Sequence, residues 1–322
     1  MNNKLHLSVS PHIHCGRSTS SIMLDVLIAL LPATIAGIVI FGLKSLLVIA
    51  VCVGACVGFE ALFNYIAKKE QTIGDYSAAV TGLLLALNLP ADIPVWQCVI
   101  GSLFAIIVVK CLFGGLGYNV VNPAITARVF MLVSFSSVSK ASMPVIVDTV
   151  AGSTPLPQLA AGENVDIMTL LLGTHGGAIG ETCAIALLIG FVYLLVRRVI
   201  TWHVPVAFVG SVFIITLFAE GFDVTRALAY TLSGGLLLGA IFMATDYVTS
   251  PVTPMGKIVF GVGAGLLTFL IRYAGAPVIV DGATKVFGSY PEGVSFAILI
   301  MNILVPYIDK FTKHKVYGGT KA

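Results

Sequence analysis

Charged side chains are scarce in this 322-residue chain, where Asp, Glu, Lys and Arg together make up 10% of the positions. A water-soluble domain carries about 25%, so a single soluble globule is excluded. The charges also nearly cancel, 18 basic against 15 acidic for a net +3. That leaves no polycationic surface for a nucleic acid. Cysteine is limited to six residues without a C-x-x-C pair. Cys52 and Cys56 stand on one turn of an apolar run, where packing is the expected role, since a soft-metal site wants more than two ligands. A disulfide framework is not expected. There is no G-x-G-x-x-G and no four-cysteine cluster, so a dinucleotide or an iron–sulfur centre would have to sit on another polypeptide. No cleavable leader is expected, because the first apolar run starts near Ser21 and is too long and too weakly flanked.

Apolar residues fill the space that charge leaves: 57% of the chain, with a mean hydropathy of +1.00. A bilayer crossing takes about 20 of them. The pattern marks ten spans, at 22–42, 45–67, 76–90, 95–113, 122–137, 181–200, 204–219, 226–245, 255–273 and 293–312. The expectation is an all-α polytopic membrane protein. Trp96 and Trp202 flank spans and read as interfacial anchors. One insert, 138–180, interrupts an otherwise short-looped chain, and function is sought there.

Basic residues set the orientation. With the N-terminus inside, Lys4, Arg17, Lys68, Lys69, Lys110, Arg197, Arg198, Lys257 and the lysines of the tail share one face. Lys44, Lys140, Arg226, Arg272 and Lys285 share the other. The excess places both termini in the cytoplasm and the long loop outside.

Two spans are interrupted in corresponding places. Span 3 opens with Gly82-Leu83-Leu84-Leu85-Ala86 and ends in Asn88-Leu89-Pro90, while span 8 carries Gly235-Leu236-Leu237-Leu238-Gly239 and breaks at Asp246 to Pro251. Gly/Pro-interrupted segments recurring in two halves indicate a repeat, and a repeat of five helices must be inverted. The organisation read is a segment 1–20, a first repeat 21–137, the loop 138–180, a second repeat 181–312 and a tail 313–322.

Within the loop runs Asp148-Thr149-Val150-Ala151-Gly152-Ser153-Thr154-Pro155-Leu156. Gly152 permits a sharp turn and Pro155 fixes the backbone after it, presenting the Thr154 hydroxyl between them. No histidine or lysine base lies nearby in sequence, so the hydroxyl is accessible but not activated from within. The segment resembles the D-x-x-S/T-G-A-T signature at which a flavin transferase links FMN through its phosphate to threonine. Asp148 matches the aspartate, Gly152 the glycine and Thr154 the acceptor. Ala151 and Ser153 are small residues that depart from the pattern. A second Gly-Ala-Thr, at Gly282-Ala283-Thr284, has Val278 where the aspartate belongs.

Further blocks carry a resemblance to the RnfD/NqrB family, most closely to the D subunit of the Rnf electron-transport complex. They are Ser10-Pro11-His12-Ile13-His14, Gly117-Tyr118-Asn119-Val120-Val121-Asn122-Pro123-Ala124, Met243-Ala244-Thr245-Asp246, Tyr290-Pro291-Glu292-Gly293 and Val305-Pro306-Tyr307-Ile308-Asp309. The resemblance implies electron transfer between ferredoxin and NAD⁺ coupled to Na⁺ or H⁺ movement. It implies partner subunits holding the other flavins and the iron–sulfur centres. It also implies a second, non-covalent flavin (riboflavin) on the cytoplasmic side.

A carboxylate inside the bilayer costs roughly 2.5–3.5 kcal/mol on insertion scales, so each one there needs a reason. Asp25 in span 1, Glu60 in span 2, Arg128 in span 5, and Asp246 with Thr249 at the break after span 8 are candidates for an ion path or the second flavin, Arg128 as the neutraliser of Asp25 or Glu60. His175 in the loop is expected in water. Tyr118 and Asn119 are expected to line a pocket. The rival expectation is a small-solute channel of the urea-transporter type, which shares the inverted repeat and would hold no redox cofactor.

Overall fold

Apolar runs fold as helices here, and they stop where glycine, proline or a capping side chain stops them. The structure, a computed structural model, describes residues 18–139, 142–145, 155–160, 165–273, 278–280, 283–285 and 292–312. Helix α1 (Thr19–Phe41) starts at Ser18, whose hydroxyl accepts from the Ser21 amide, and stops at Gly42 with φ +75°. Helix α2 (Leu43–Ile66) returns across the same layer. Helix α3 (Ser77–Leu87) ends ahead of Asn88-Leu89-Pro90. Helix α4 (Val95–Leu103) follows Pro94 and widens into a π-helical stretch, Phe104–Cys111. Helix α5 (Pro123–Ser134) is capped by Asn122, which accepts from the amides of Ala124 and Ile125.

The loop contributes two six-residue helices, α6 (Pro155–Ala160) and α7 (Ile167–Leu172). The second half contains α8 (Ala184–Val196), α9 (His203–Ala219) and α10 (Val224–Leu232). A break of 65° separates α10 from α11 (Leu236–Leu238), which continues as a π turn over Gly239–Met243. Helices α12 (Pro254–Tyr273) and α13 (Gly293–Thr312) complete it. Among the described residues the only strands are β1 (Val278–Val280) and β2 (Ala283–Lys285), a short antiparallel hairpin.

All ten segments read from hydropathy are helical at their expected places, and the chain is an all-α polytopic membrane protein. Crossing length is another matter. Among the described residues four helices are long and apolar enough to span, and the bent pair α10–α11 makes a fifth. The rest are apolar helices of 10–17 residues. Hydropathy counts apolar residues whatever their backbone does. The 11 residues of α3 reach only about 16 Å, half of a ~30 Å hydrocarbon core. That helix is buried along nearly its whole surface, whereas α1 turns Leu31, Ile35 and Val39 outward, as a lipid-facing helix does.

Helix neighbours repeat between the halves. In the first half α2 packs on α3 and α4; in the second, α9 packs on α10 and α12. Helix α5 lies on the π stretch after α4 as α13 lies on α12, while α1 packs on α8 and α5 on α13. A two-fold relation between two five-helix halves produces this pattern, because the first and fifth helices then meet their own counterparts. The α1–α8 crossing is close enough that a Cβ on Gly190 would collide with the Ala29 carbonyl.

Candidate functional site

Backbone breaks at mid-membrane depth survive only where other groups satisfy the freed polar atoms. At the α10–α11 break that group is Arg272 of α12. Its guanidinium donates to the carbonyls of Tyr230 (3.1 Å) and Ser233 (3.2 Å), a cation at the negative end of α10. Gly234 then turns the chain with φ +65°. Against the next residue, Gly235, rests the Glu181 carboxylate, so near that a Cβ there would lie 2.6 Å from Oε1.

This break forms one wall of a cavity, here called the loop cavity. Asn88 and Pro90 line it from the end of α3, Arg128 from α5, Pro155 and Leu156 from α6, and His175 to Ala178 with Glu181 from the run before α8. Met243 and Ile298 supply apolar surface. Arg128 pairs through Nη2 with Glu292 and donates through Nη1 to the Val138 carbonyl at 3.3 Å. Its Nε is buried without a partner among the described residues. His175 Nδ1 lies 2.9 Å from the Gly176 carbonyl, which assigns the proton to Nδ1 and leaves Nε2 an acceptor. That Nε2 is likewise buried with no partner among the described residues. Burial pushes the His175 pKa down, partly offset by backbone hydrogen bonds, so the ring is neutral at pH 7.

A second cavity, here called the opposite cavity, is lined by a different set of residues. Its lining includes Met23 of α1, Thr81 and Leu84 of α3, Lys110, Asn119 and Asn122, then Phe242, Thr245 and Asp246. Thr249 donates to Asp246 Oδ2 at 3.1 Å. Desolvation raises the Asp246 pKa in spite of the hydrogen bonds that hold its anion. The Asn122 amide donates to the Met243 carbonyl (3.2 Å) and Asn88 to the Met243 sulfur (3.4 Å).

The candidate residues scatter accordingly. Asp148, Gly152, Ser153 and Thr154 lie outside the described residues, as do His12 and His14. Yet Pro155, peptide-bonded to Thr154, and Leu156 both line the loop cavity. Asp246 and Asn119 line the opposite cavity, whereas Tyr118 is 71% exposed and does not. His175 is half-buried in the loop cavity, not a solvated loop histidine.

The expected neutralisation of Asp25 or Glu60 by Arg128 does not occur, because each acid has another cation. Arg197 holds Asp25 at 3.2–3.3 Å with Tyr193 adding a bond at 3.1 Å. Lys110 holds both oxygens of Glu60 at 2.9 Å. Arg128 pairs with Glu292 across 164 residues of sequence. Sequence reasoning misses Glu181 and Glu292 as cavity residues. The usable signals were Lys110 inside an apolar run, which demands a buried partner, and Glu292 inside the Tyr-Pro-Glu-Gly block.

Comparison with known proteins adds a family. A family model described as NQR2, RnfD, RnfE matches residues 6–318. The chain is 45% identical to the D subunit of the Na⁺-translocating ferredoxin:NAD⁺ oxidoreductase complex of Acetobacterium woodii, over 99% of this chain and 98% of that one. It is 40% identical to the D subunit of the proton-translocating ferredoxin:NAD⁺ oxidoreductase complex of Clostridium ljungdahlii, over 98% and 97%. The D subunit of the ion-translocating oxidoreductase complex of Stutzerimonas stutzeri is 34% identical over 94% and 92%.

Proposed function

The chain belongs to the NQR2, RnfD, RnfE family, and from that premise we propose that it is the membrane-embedded D subunit of an ion-translocating ferredoxin:NAD⁺ oxidoreductase complex, carrying FMN esterified through its phosphate to Thr154. The relatives are named as subunits of oxidoreductase complexes. The chain accordingly works within a multi-subunit assembly in which partners hold the iron–sulfur and nucleotide chemistry. A flavin transferase installs the FMN. The loop sits on the extracytoplasmic side of a bacterial inner membrane, with both termini in the cytoplasm, following the distribution of basic residues.

The observation that carries the cofactor reading is the position of Pro155. The residue bonded to the acceptor threonine lines a cavity whose chemistry fits a flavin. A ring system with carbonyl and imine acceptors on one edge and apolar faces wants donors at one wall and apolar contact at the others. Arg128 Nε is a buried donor without a partner among the described residues, His175 Nε2 a buried acceptor, and Leu156, Met243, Val294 and Ile298 are apolar walls. FMN, when bound, supplies one- and two-electron transfer. The protein's own part is to tether, orient and desolvate. Arg128, fixed by Glu292 and the Val138 carbonyl, presents its Nε as a donor at its edge of the cavity, and neutral His175 adds no charge.

The opposite cavity is proposed as the seat of the second, non-covalent flavin (riboflavin), with Asn119, Asn122 and Asp246 as its polar contacts. Asp25 and Glu60 are committed to Arg197 and Lys110, so among the ion-path candidates Asp246 and Thr249 are favoured. The translocated ion is not chosen by relatedness, since relatives at 45% and 40% identity are named for Na⁺ and for protons. In-gel ultraviolet fluorescence of the denatured chain tests the cofactor reading. A flavin band that Thr154→Val abolishes supports it. A dark band from cells with an active flavin transferase supports the urea-transporter-like channel instead.

A further inference from the structure

A buried lysine in a membrane protein needs one carboxylate to be tolerated, and Lys110 has Glu60. It also has something a clamp does not require. The π-helical stretch Phe104–Cys111 carries Lys110 inward until it is 2% exposed and borders the opposite cavity. From there Nζ donates to both Glu60 oxygens at 2.9 Å and to Ser77 Oγ at 2.6 Å. Ser77 Oγ in turn donates to Asp75 Oδ1 at 2.6 Å. Asp75 sits in the short turn Ile73–Asp75 and is half-exposed. It also caps α3 by accepting from the Ser77 amide at 2.8 Å.

The direction of this chain of bonds is fixed by chemistry. An ammonium group only donates and a carboxylate only accepts, so the hydroxyl between them must accept from Lys110 and donate to Asp75. Every hydrogen along the row therefore points from the cavity wall towards the aqueous surface, the polarity a proton needs to leave. The other titratable groups around Lys110 are Glu60, Cys56 and Cys111. Across the cavity stands Asp246.

We propose that Lys110, Ser77 and Asp75 form a proton exit from the opposite cavity to the aqueous face at residues 72–77, with Glu60 holding Lys110 in register. The inference rests on the redox reading above, because oxidation of a reduced ring in that cavity frees the proton to be carried. A reduced flavin held in that cavity would give up one proton with each pair of electrons that leaves it. The electrons go to an acceptor among the partner subunits. The proton on Nζ passes to Ser77 Oγ as the Ser77 proton passes to Asp75 Oδ1, and Asp75 yields it to water. Nζ then binds the proton freed in the cavity.

The test uses the complete complex, reduced anaerobically and then oxidised with ferricyanide, which accepts electrons without protons. Stopped-flow absorbance follows the flavins while a pH-indicator dye follows proton release. Ser77→Ala removes the relay and leaves both Lys110–Glu60 bonds in place. It should slow the proton signal about tenfold or more with bound-flavin content and thermal stability unchanged, and Ser77→Thr should restore the parental rate. Proton release by Ser77→Ala at the parental rate would overturn the route, as would oxidation of the parent without any proton release. A parent complex lacking flavin absorbance contradicts the redox reading itself, and its spectrum reveals this before mixing.

Discussion

Replacing Arg128 with methionine removes the cation that Glu292 faces, and the surroundings of the pair set the cost. The two side chains are 5% and 14% exposed, so water screens the pair little. Glu292 would remain in a cavity that also holds Glu181, while Arg272 stays engaged with the carbonyls of the α10–α11 break. Removing one partner of a buried ion pair costs about 3–5 kcal/mol, mostly because the remaining charge is stranded. Glu292→Leu should cost a comparable amount by leaving the guanidinium unpaired. The double variant Arg128→Met/Glu292→Leu strands neither charge and should recover most of the loss, since apolar replacement of a buried pair is often near neutral. Denaturation of the detergent-solubilised chain, run on all four proteins, measures the coupling. The expectation is that the double variant lies several kcal/mol above the sum of the single losses. Strict additivity, with the double variant as unstable as the two single losses combined, would refute the direct pairing of α5 with α13.

Gly234→Ala places a side chain at φ +65°, with its Cβ 3.0 Å from Leu156 and 3.2 Å from the Arg272 guanidinium, and should destabilise by about 1–2 kcal/mol; a neutral result in the same denaturation assay would mean the break relaxes freely. His175 has its pKa lowered in the folded chain from 6.5, so below about pH 6.5 the unfolded chain binds more protons and stability falls with falling pH. Thermal unfolding of the parent should therefore lose ground between pH 7.5 and 5.5, and His175→Gln should flatten that part of the profile; an unchanged slope in the variant would place the acid sensitivity elsewhere.

The helical segments were legible because a bilayer-facing helix advertises itself in composition, and Gly42, Pro94 and Asn122 mark ends that hydropathy alone blurs. The end of span 3 was legible from Asn88-Leu89-Pro90, whereas span 8, read as breaking at Asp246 to Pro251, bends by 65° earlier, between Leu232 and Leu236, where Gly234 takes a positive φ. Crossing length was not legible. Residues 88–94 carry proline at 90 and 94, which takes them out of a helix and leaves α3 short. Charge pairing was also hidden: Lys110 meets Glu60 at a separation of 50 residues and Arg197 meets Asp25 at 172, distances over which no local pattern exists. The rule that counts basic residues by loop reads Lys110 and Arg197 as markers of the cytoplasmic face. In the fold their ammonium and guanidinium groups are ligands for buried acids. In the loop cavity, Glu181 and His175 meet by tertiary packing that the sequence does not display.

The central claim is the covalent flavin, and the intact mass of the purified chain tests it most directly. Protein from cells with an active flavin transferase should weigh the polypeptide plus one FMN less one water. Thr154→Val should return the bare polypeptide mass, and Thr284→Val should keep the adduct. A bare mass for the parent, with the same transferase modifying another substrate in the same cells, would contradict the account.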